Sequence, residues 1–210
     1  MKEDKSLNKL PALMSLIFGF IAIFTLFMPM LATSGASVAG GDITGFSGLN
    51  VALGTPVRVD ASAFLKEISG MLGEDNEITL PPYQQMYFSI KYFSFSPIVI
   101  IFPLVIAGTV CAVLDLTGIG GKKVPIIAAV CFTIAAVLFF VSKYMVILNS
   151  DMFKGIEDKA IVDKLISSFR HSLRYGVGAL IGAVFSVICA VASFSSIFLE
   201  KQSVTIKIHI

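Results

Sequence analysis

The chain has 210 residues, 56% of them hydrophobic and 14% charged, with a formal net charge of +2. Soluble domains carry roughly 25% charged residues, so an ordinary soluble class is excluded, and the small net charge gives no argument for a nucleic-acid partner. At this length residues 1–210 are expected to form a single integral membrane domain, with no separate soluble module.

Four apolar runs organise the chain: Leu10–Leu31, Pro97–Thr117, Val124–Leu148 and Tyr175–Leu199. Each reaches the roughly 20 residues a helix needs to cross a hydrocarbon core. The first follows Lys2, Lys5 and Lys9 and precedes Ser34-Gly35-Ala36, which resembles a small-residue cleavage site. It exceeds the roughly 7–15 residues of a signal-peptide apolar region, so it reads as a retained helix.

Residues 32–96 form the long polar insert. Gly35, Gly40, Gly41, Gly45, Gly48 and Gly54 punctuate its first half, where Asn50-Val51-Ala52-Leu53 and Val57-Arg58-Val59 alternate as short strands do. A short helix is expected over Asp60–Leu72, capped by Asp60, with Ala61, Phe64, Leu65, Ile68 and Leu72 at helical spacing. Gly73–Thr79 is acidic and turn-like, and Leu80-Pro81-Pro82 breaks regular structure before Tyr83–Phe95 leads back to the membrane.

In the second run Pro103 is expected to kink the helix, which serves a transporter gate or plain packing. Asp115 is the only acidic residue inside a run. It reads either as an intramembrane polar site for a proton or cation, or as an interfacial carboxylate paired with Lys122 or Lys123. Residues 118–123 make a tight turn, and Pro125 suits the first turn of the third helix. Lys143 can snorkel from the far end of that helix. Cys111, Cys131 and Cys189 all lie in runs, so no loop disulfide framework exists. Buried filling is their ordinary role, although Cys111 and Cys131 fall at similar distances from the turn.

Residues 149–174 read as an amphipathic helix, with Ile161, Leu165, Phe169 and Leu173 four apart and Ile156 on the same face. Mixed charge opposite, from Glu157 to Lys164, favours covering the Gly-rich insert over lying on lipid. In the fourth run Gly178, Gly182, Ser186 and Ala190 form a stripe of small residues at i, i+4 spacing, which permits close helix approach within the bundle or to another subunit.

Short lysine-bearing segments place the 118–123 turn and both termini in the cytoplasm, with residues 32–96 and 149–174 outside the plasma membrane. The expected fold is thus an all-α four-helix membrane bundle carrying a small extracytoplasmic cap of short strands and an amphipathic helix. No Gly-x-Ser-x-Gly, His-x-x-x-His or paired-Cys motif supplies catalytic or metal-binding residues, and no dinucleotide or P-loop fingerprint calls for a cofactor. Asp42, Asp60, Glu74, Asp75 and Glu77 match no calcium-loop spacing.

This layout, with its large first loop and the local Gly48-Leu49-Asn50, resembles the claudin and peripheral-myelin-protein tetraspans, in which Gly-Leu-Trp stands at the corresponding place; this chain has no Trp and no loop Cys pair. Phe27-Met28-Pro29-Met30, Thr44-Gly45-Phe46-Ser47-Gly48 and Tyr175-Gly176-Val177-Gly178 resemble small bacterial tetraspans. These resemblances imply topology and no activity. The leading expectation is a non-enzymatic membrane protein whose cap binds a membrane or extracytoplasmic protein or assembles homo-oligomers. The alternatives are a small transporter or channel component, and an enzyme on lipid or envelope substrates.

Overall fold

The structure, a computed structural model, describes residues 9–33, 45–60, 87–149 and 159–208. The helix expected after Asp60, the acidic turn Gly73–Thr79, the Leu80-Pro81-Pro82 break, Ile156 and the glycines at 35, 40 and 41 lie outside those residues. The chain is mostly helical and resolves into two compact units.

The helical unit takes the chain up to Leu26, then Ile100–Val141, then from Ala179 onward. It contains α1 (Leu10–Thr25), α3 (Ile101–Thr117), α4 (Lys123–Val141) and most of α6 (Val177–Ile208). A 3-10 turn at Pro97–Ile100 leads into α3, and another at Ser142–Tyr144 follows α4. Among the described residues, three helical stretches, Pro97–Thr117, Lys123–Tyr144 and Val177–Leu199, are long and apolar enough to cross a membrane. With 16 residues, α1 is only about 24 Å long at the α-helical rise.

Burial is inverted relative to a soluble bundle. Helix α1 buries Ala12, Ser15, Gly19, Ala22 and Thr25, and exposes Leu13, Met14, Ile17, Phe20 and Phe24. Helix α6 buries Ala179, Ala183, Ser186, Cys189 and Ser193, and exposes Leu180, Val184, Val187, Val191, Phe194 and Phe198. Water would drive those large side chains inward. Small residues inside and large ones outside suit an apolar solvent, so the helices belong to a membrane-embedded protein.

The apolar runs and the helices end at different places. Helix α1 stops at Thr25, whose hydroxyl donates to the Ala22 carbonyl at 2.7 Å. Proline disfavours helix in the residue before it, and Pro29 instead opens strand β1 (Pro29–Thr33). The first run therefore does not continue as helix to Leu31. The regular third helix likewise ends at Val141, and Tyr175 closes a strand before α6 begins at Val177.

The sheet unit comprises Phe27–Val99 and Ser142–Gly178. Its three-stranded antiparallel sheet has β1 between β2 (Gly45–Ser47) and β5 (Leu173–Tyr175). Leu31 stands opposite Phe46 on one side and Tyr175 on the other. Strands β3 (Val57–Asp60) and β4 (Tyr87–Ile90) pair antiparallel as a second sheet.

The strand-like reading of Asn50–Leu53 is corrected: Gly48–Leu53 is a short helix, α2. Ser47 caps it by accepting the Asn50 N–H, and Gly54 ends it in the left-handed region at φ 61°. Those end signals outweigh a four-residue alternation. Helix α5 (Lys159–Ser172) covers part of the segment expected as an amphipathic helix, but Leu173 and Arg174, placed on that helix by spacing, belong to strand β5 and pair with β1.

Gly176 donates its N–H to the Met30 carbonyl at 2.9 Å, and a β-carbon there would press on the Pro29 carbonyl oxygen. Gly176→Ala should therefore destabilise the protein by about 1–3 kcal/mol, the usual range for overpacking. Thermal unfolding in detergent would show it as a lowered Tm, and an unchanged Tm would refute this close approach.

Candidate functional site

The helical unit carries a line of buried polar groups along one face of α6. Gly182, Ser186, Cys189, Ser193 and Ser196 recur at alternating steps of four and three residues, and all are buried. Ser193 Oγ lies 2.9 Å from Ser15 Oγ on α1. The Ser15 hydroxyl also faces the Cys189 carbonyl at 3.4 Å, while the Cys189 thiol donates to the Ser15 carbonyl at 3.4 Å. Nearer the end of α3, Ser196 donates to Asp115 Oδ2 at 2.8 Å. Asp115 is half-buried, and it makes no ion pair with Lys122 or Lys123, which are both exposed. The lysine pairing anticipated around the turn is replaced by a hydroxyl from α6.

Glycines fix how closely these helices approach. A β-carbon at Gly182 would sit 2.6 Å from Phe139 Cζ and 2.7 Å from Thr25 Oγ1. One at Gly19 would sit 2.6 Å from Thr109 Oγ1, and one at Gly108 would meet the Phe132 ring at 2.9 Å. Of the small-residue stripe, Gly178, Gly182, Ser186 and Ala190 are all buried. Pro103 falls in the first turn of α3, just after the 3-10 turn, where a missing N–H costs little. Cys111 and Cys131 are half-buried on α3 and α4.

In the sheet unit, Phe46 of β2 packs against Tyr92 at 5.1 Å, Phe93 at 4.9 Å and Phe169 of α5 at 6.4 Å between ring centroids. Tyr92 and Phe169 stack at 5.6 Å. The amphipathic helix thus covers the end of the Gly-rich segment through Phe169. Residues 91–96 are clamped by backbone: Ser94 N–H donates to the Ile147 carbonyl, Ser96 N–H to Ala52, and Asn149 N–H to Tyr92. The Ser96 hydroxyl adds a bond to the Met145 carbonyl at 2.9 Å. Burial first, and the neighbouring Tyr144 second, push the Tyr175 phenol above its ordinary range. It therefore stays a neutral hydrogen-bonding group.

Sequence reasoning did not find Ser15, Ser193, Ser196 or the Phe46–Tyr92–Phe93–Phe169 cluster. The four-three spacing of small and hydroxyl residues from Gly182 to Ser196 was the available signal for the first set. Among the described residues no group of three or more His, Cys, Asp or Glu side chains is placed to hold a metal ion. His171 is exposed and its Nδ1 bonds the Ser167 carbonyl at 2.7 Å, within its own helix.

No family model matches the chain, and no curated protein does.

The Ser15–Ser193 pair gives a direct measure of the polar line. A double-mutant cycle with Ser15→Ala and Ser193→Ala should yield a coupling of about 0.6 kcal/mol, the average for hydroxyl and amide pairs between membrane helices. Coupling indistinguishable from zero would mean that the two hydroxyls do not bond.

Proposed function

We propose that the protein is a non-enzymatic, four-span integral membrane protein whose extracytoplasmic cap recognises a protein partner or assembles the chain into a membrane complex. The fourth span is α1. Although short, it is packed into the helical unit by Gly19 against Thr109 and by Ser15 against Ser193. It also presents a continuous apolar face from Leu13 to Phe24. The short lysine-bearing turn at 118–123 supports a cytoplasmic position for that turn and for both termini in the plasma membrane.

The observation that carries the reading is the aromatic core of the sheet unit. Phe46, Tyr92 and Phe93 from one connecting segment close on Phe169 from the other. Two connections whose only task is to join helices have no need of a shared core. With that core satisfied internally, the unit still exposes Leu53, Phe95, Tyr144 and Ile147, Tyr144 to 80%. Aromatic and aliphatic side chains left open on a folded unit are the usual anchors of a protein interface.

A second reading, a small transporter or channel component, is favoured by one observation. Asp115 is held by a hydroxyl of α6 rather than by a lysine. Substrate-dependent flux in proteoliposomes, weakened by Asp115→Asn, would support it, and flux unaffected by that change would remove Asp115 from the mechanism.

For the leading reading, the chain should extract in mild detergent with a defined partner or as a defined oligomer. Leu53→Asp combined with Ile147→Asp should weaken that association at least ~10-fold, about 1.4 kcal/mol, while leaving the fold intact by thermal melting. A stable, monomeric, partnerless chain after gentle extraction would overturn the reading. Labelling of Lys122→Cys from outside intact cells would reverse the orientation.

A further inference from the structure

Among the described residues, each buried hydroxyl of the helical unit has a protein partner except one. Ser15 and Ser193 meet each other, Thr25 donates to Ala22, Thr109 to Val105 and Ser196 to Asp115. Ser186 is fully buried, and its Oγ has no partner among the described residues. The common escape for a helical serine is its own helix, as Ser195 shows by donating to the Val191 carbonyl at 2.9 Å. Ser186 does not take it. An unsatisfied hydroxyl surrounded by apolar groups is costly, and in native structures such groups are usually completed by an ordered water.

The residues of α1 that face this level are small. Helices α1 and α6 run past each other with Ser15 at the level of Cys189 and Ser193, and Thr25 beside Gly182. Ser186 therefore falls opposite the buried face of α1 that carries Gly19 and Ala22, neither of which has a side chain beyond a β-carbon. A buried water needs two to four polar partners. Thr25 Oγ1 stands beside Gly182, about a turn from Ser186 along α6. It spends its proton on a backbone carbonyl of its own helix, which leaves oxygen lone pairs able to accept from water.

We propose that Ser186 binds a buried water molecule at the centre of the helical unit, with Thr25 Oγ1, beside Gly182 one turn away on the same face of α6, as its other hydroxyl partner. The site ends the polar line that starts at Asp115 and Ser196. From Ser196 to Ser186 is ten residues, about 15 Å along α6, or half of a roughly 30 Å hydrocarbon core. Beyond it the line is closed, because the Phe139 ring lies against Gly182. The site is independent of any partner bound by the sheet unit.

The test uses the full chain purified in detergent. A structure at a resolution that resolves ordered water should show density within hydrogen-bonding distance of Ser186 Oγ; resolved waters elsewhere and none at Ser186 would overturn the site. Thermal melting of Ser186→Ala separates the two states of the hydroxyl by sign. Removing a water-bonded hydroxyl should lower Tm by about 2–4 °C, the shift expected in a chain of this size for one lost hydrogen bond. Removing an unpaired hydroxyl relieves its desolvation, so an unchanged or raised Tm would also overturn the proposal. Should the variant fail to fold, the density at Ser186 decides alone.

Discussion

Helices in a lipid-like solvent gain nothing by hiding apolar surface from one another, so close contact must hold them together. In the helical unit that contact is an aromatic ring laid on bare backbone. Phe132 meets the positions of Gly108 and Gly19, and Phe139 meets Gly182. Each pair of heavy atoms in contact contributes only about 0.1–0.2 kcal/mol, but a buried side chain makes tens of such pairs. A bond such as Ser15–Ser193 contributes about 0.6 kcal/mol by comparison. Ring-on-glycine packing therefore outweighs any single polar pair. The hydroxyls act chiefly to avoid the penalty of leaving polar atoms unpaired where water is scarce.

The same constraint explains which parts of the helical unit were legible. Four apolar runs were plain, because hydropathy is a property of composition. Their ends were not. Pro29-Met30-Leu31 is as apolar as the helix before it, yet Pro29 and the Thr25 back-bond turn it into a strand whose central residues are fully buried. The small-residue stripe was legible as Gly178, Gly182, Ser186 and Ala190. A strict four-residue step advances about 40° around a helix at each turn, so such a stripe drifts away from a fixed neighbour. Ser193 and Ser196, reached from Ser186 through Cys189 by alternating steps, stay on the face that meets Ser15 and Asp115.

The sheet unit was harder to read for a different reason. Phe169 and Leu173 announced themselves by helical spacing, and both are fully buried. Phe46, Tyr92 and Phe93 sit in segments too short or irregular to have a period, so only the fold reveals that they share a core. Gly176 is similar. Its role depends on the approach of the Pro29 carbonyl from a segment far away in the chain, and no local pattern encodes that distance. Conversely, the alternation at Asn50–Leu53 looked like a strand, while the neighbouring Ser47 and Gly54 carried the decisive helix-end chemistry.

Asp115 shows how a buried partner differs from an exposed one. Lys122 and Lys123 are near it in sequence, but both are exposed and keep the hydration an ion pair would make them surrender. Holding a long lysine side chain in one geometry also costs rotamer entropy, and exposed pairs contribute little net stability. Ser196 is short and fixed on a packed helix, so its hydroxyl reaches Asp115 with little entropy left to lose. One hydroxyl satisfies one acceptor site among roughly four on a carboxylate, whereas a lysine would supply a full opposing charge. The arrangement fixes the position of Asp115 and leaves most of its bonding capacity open.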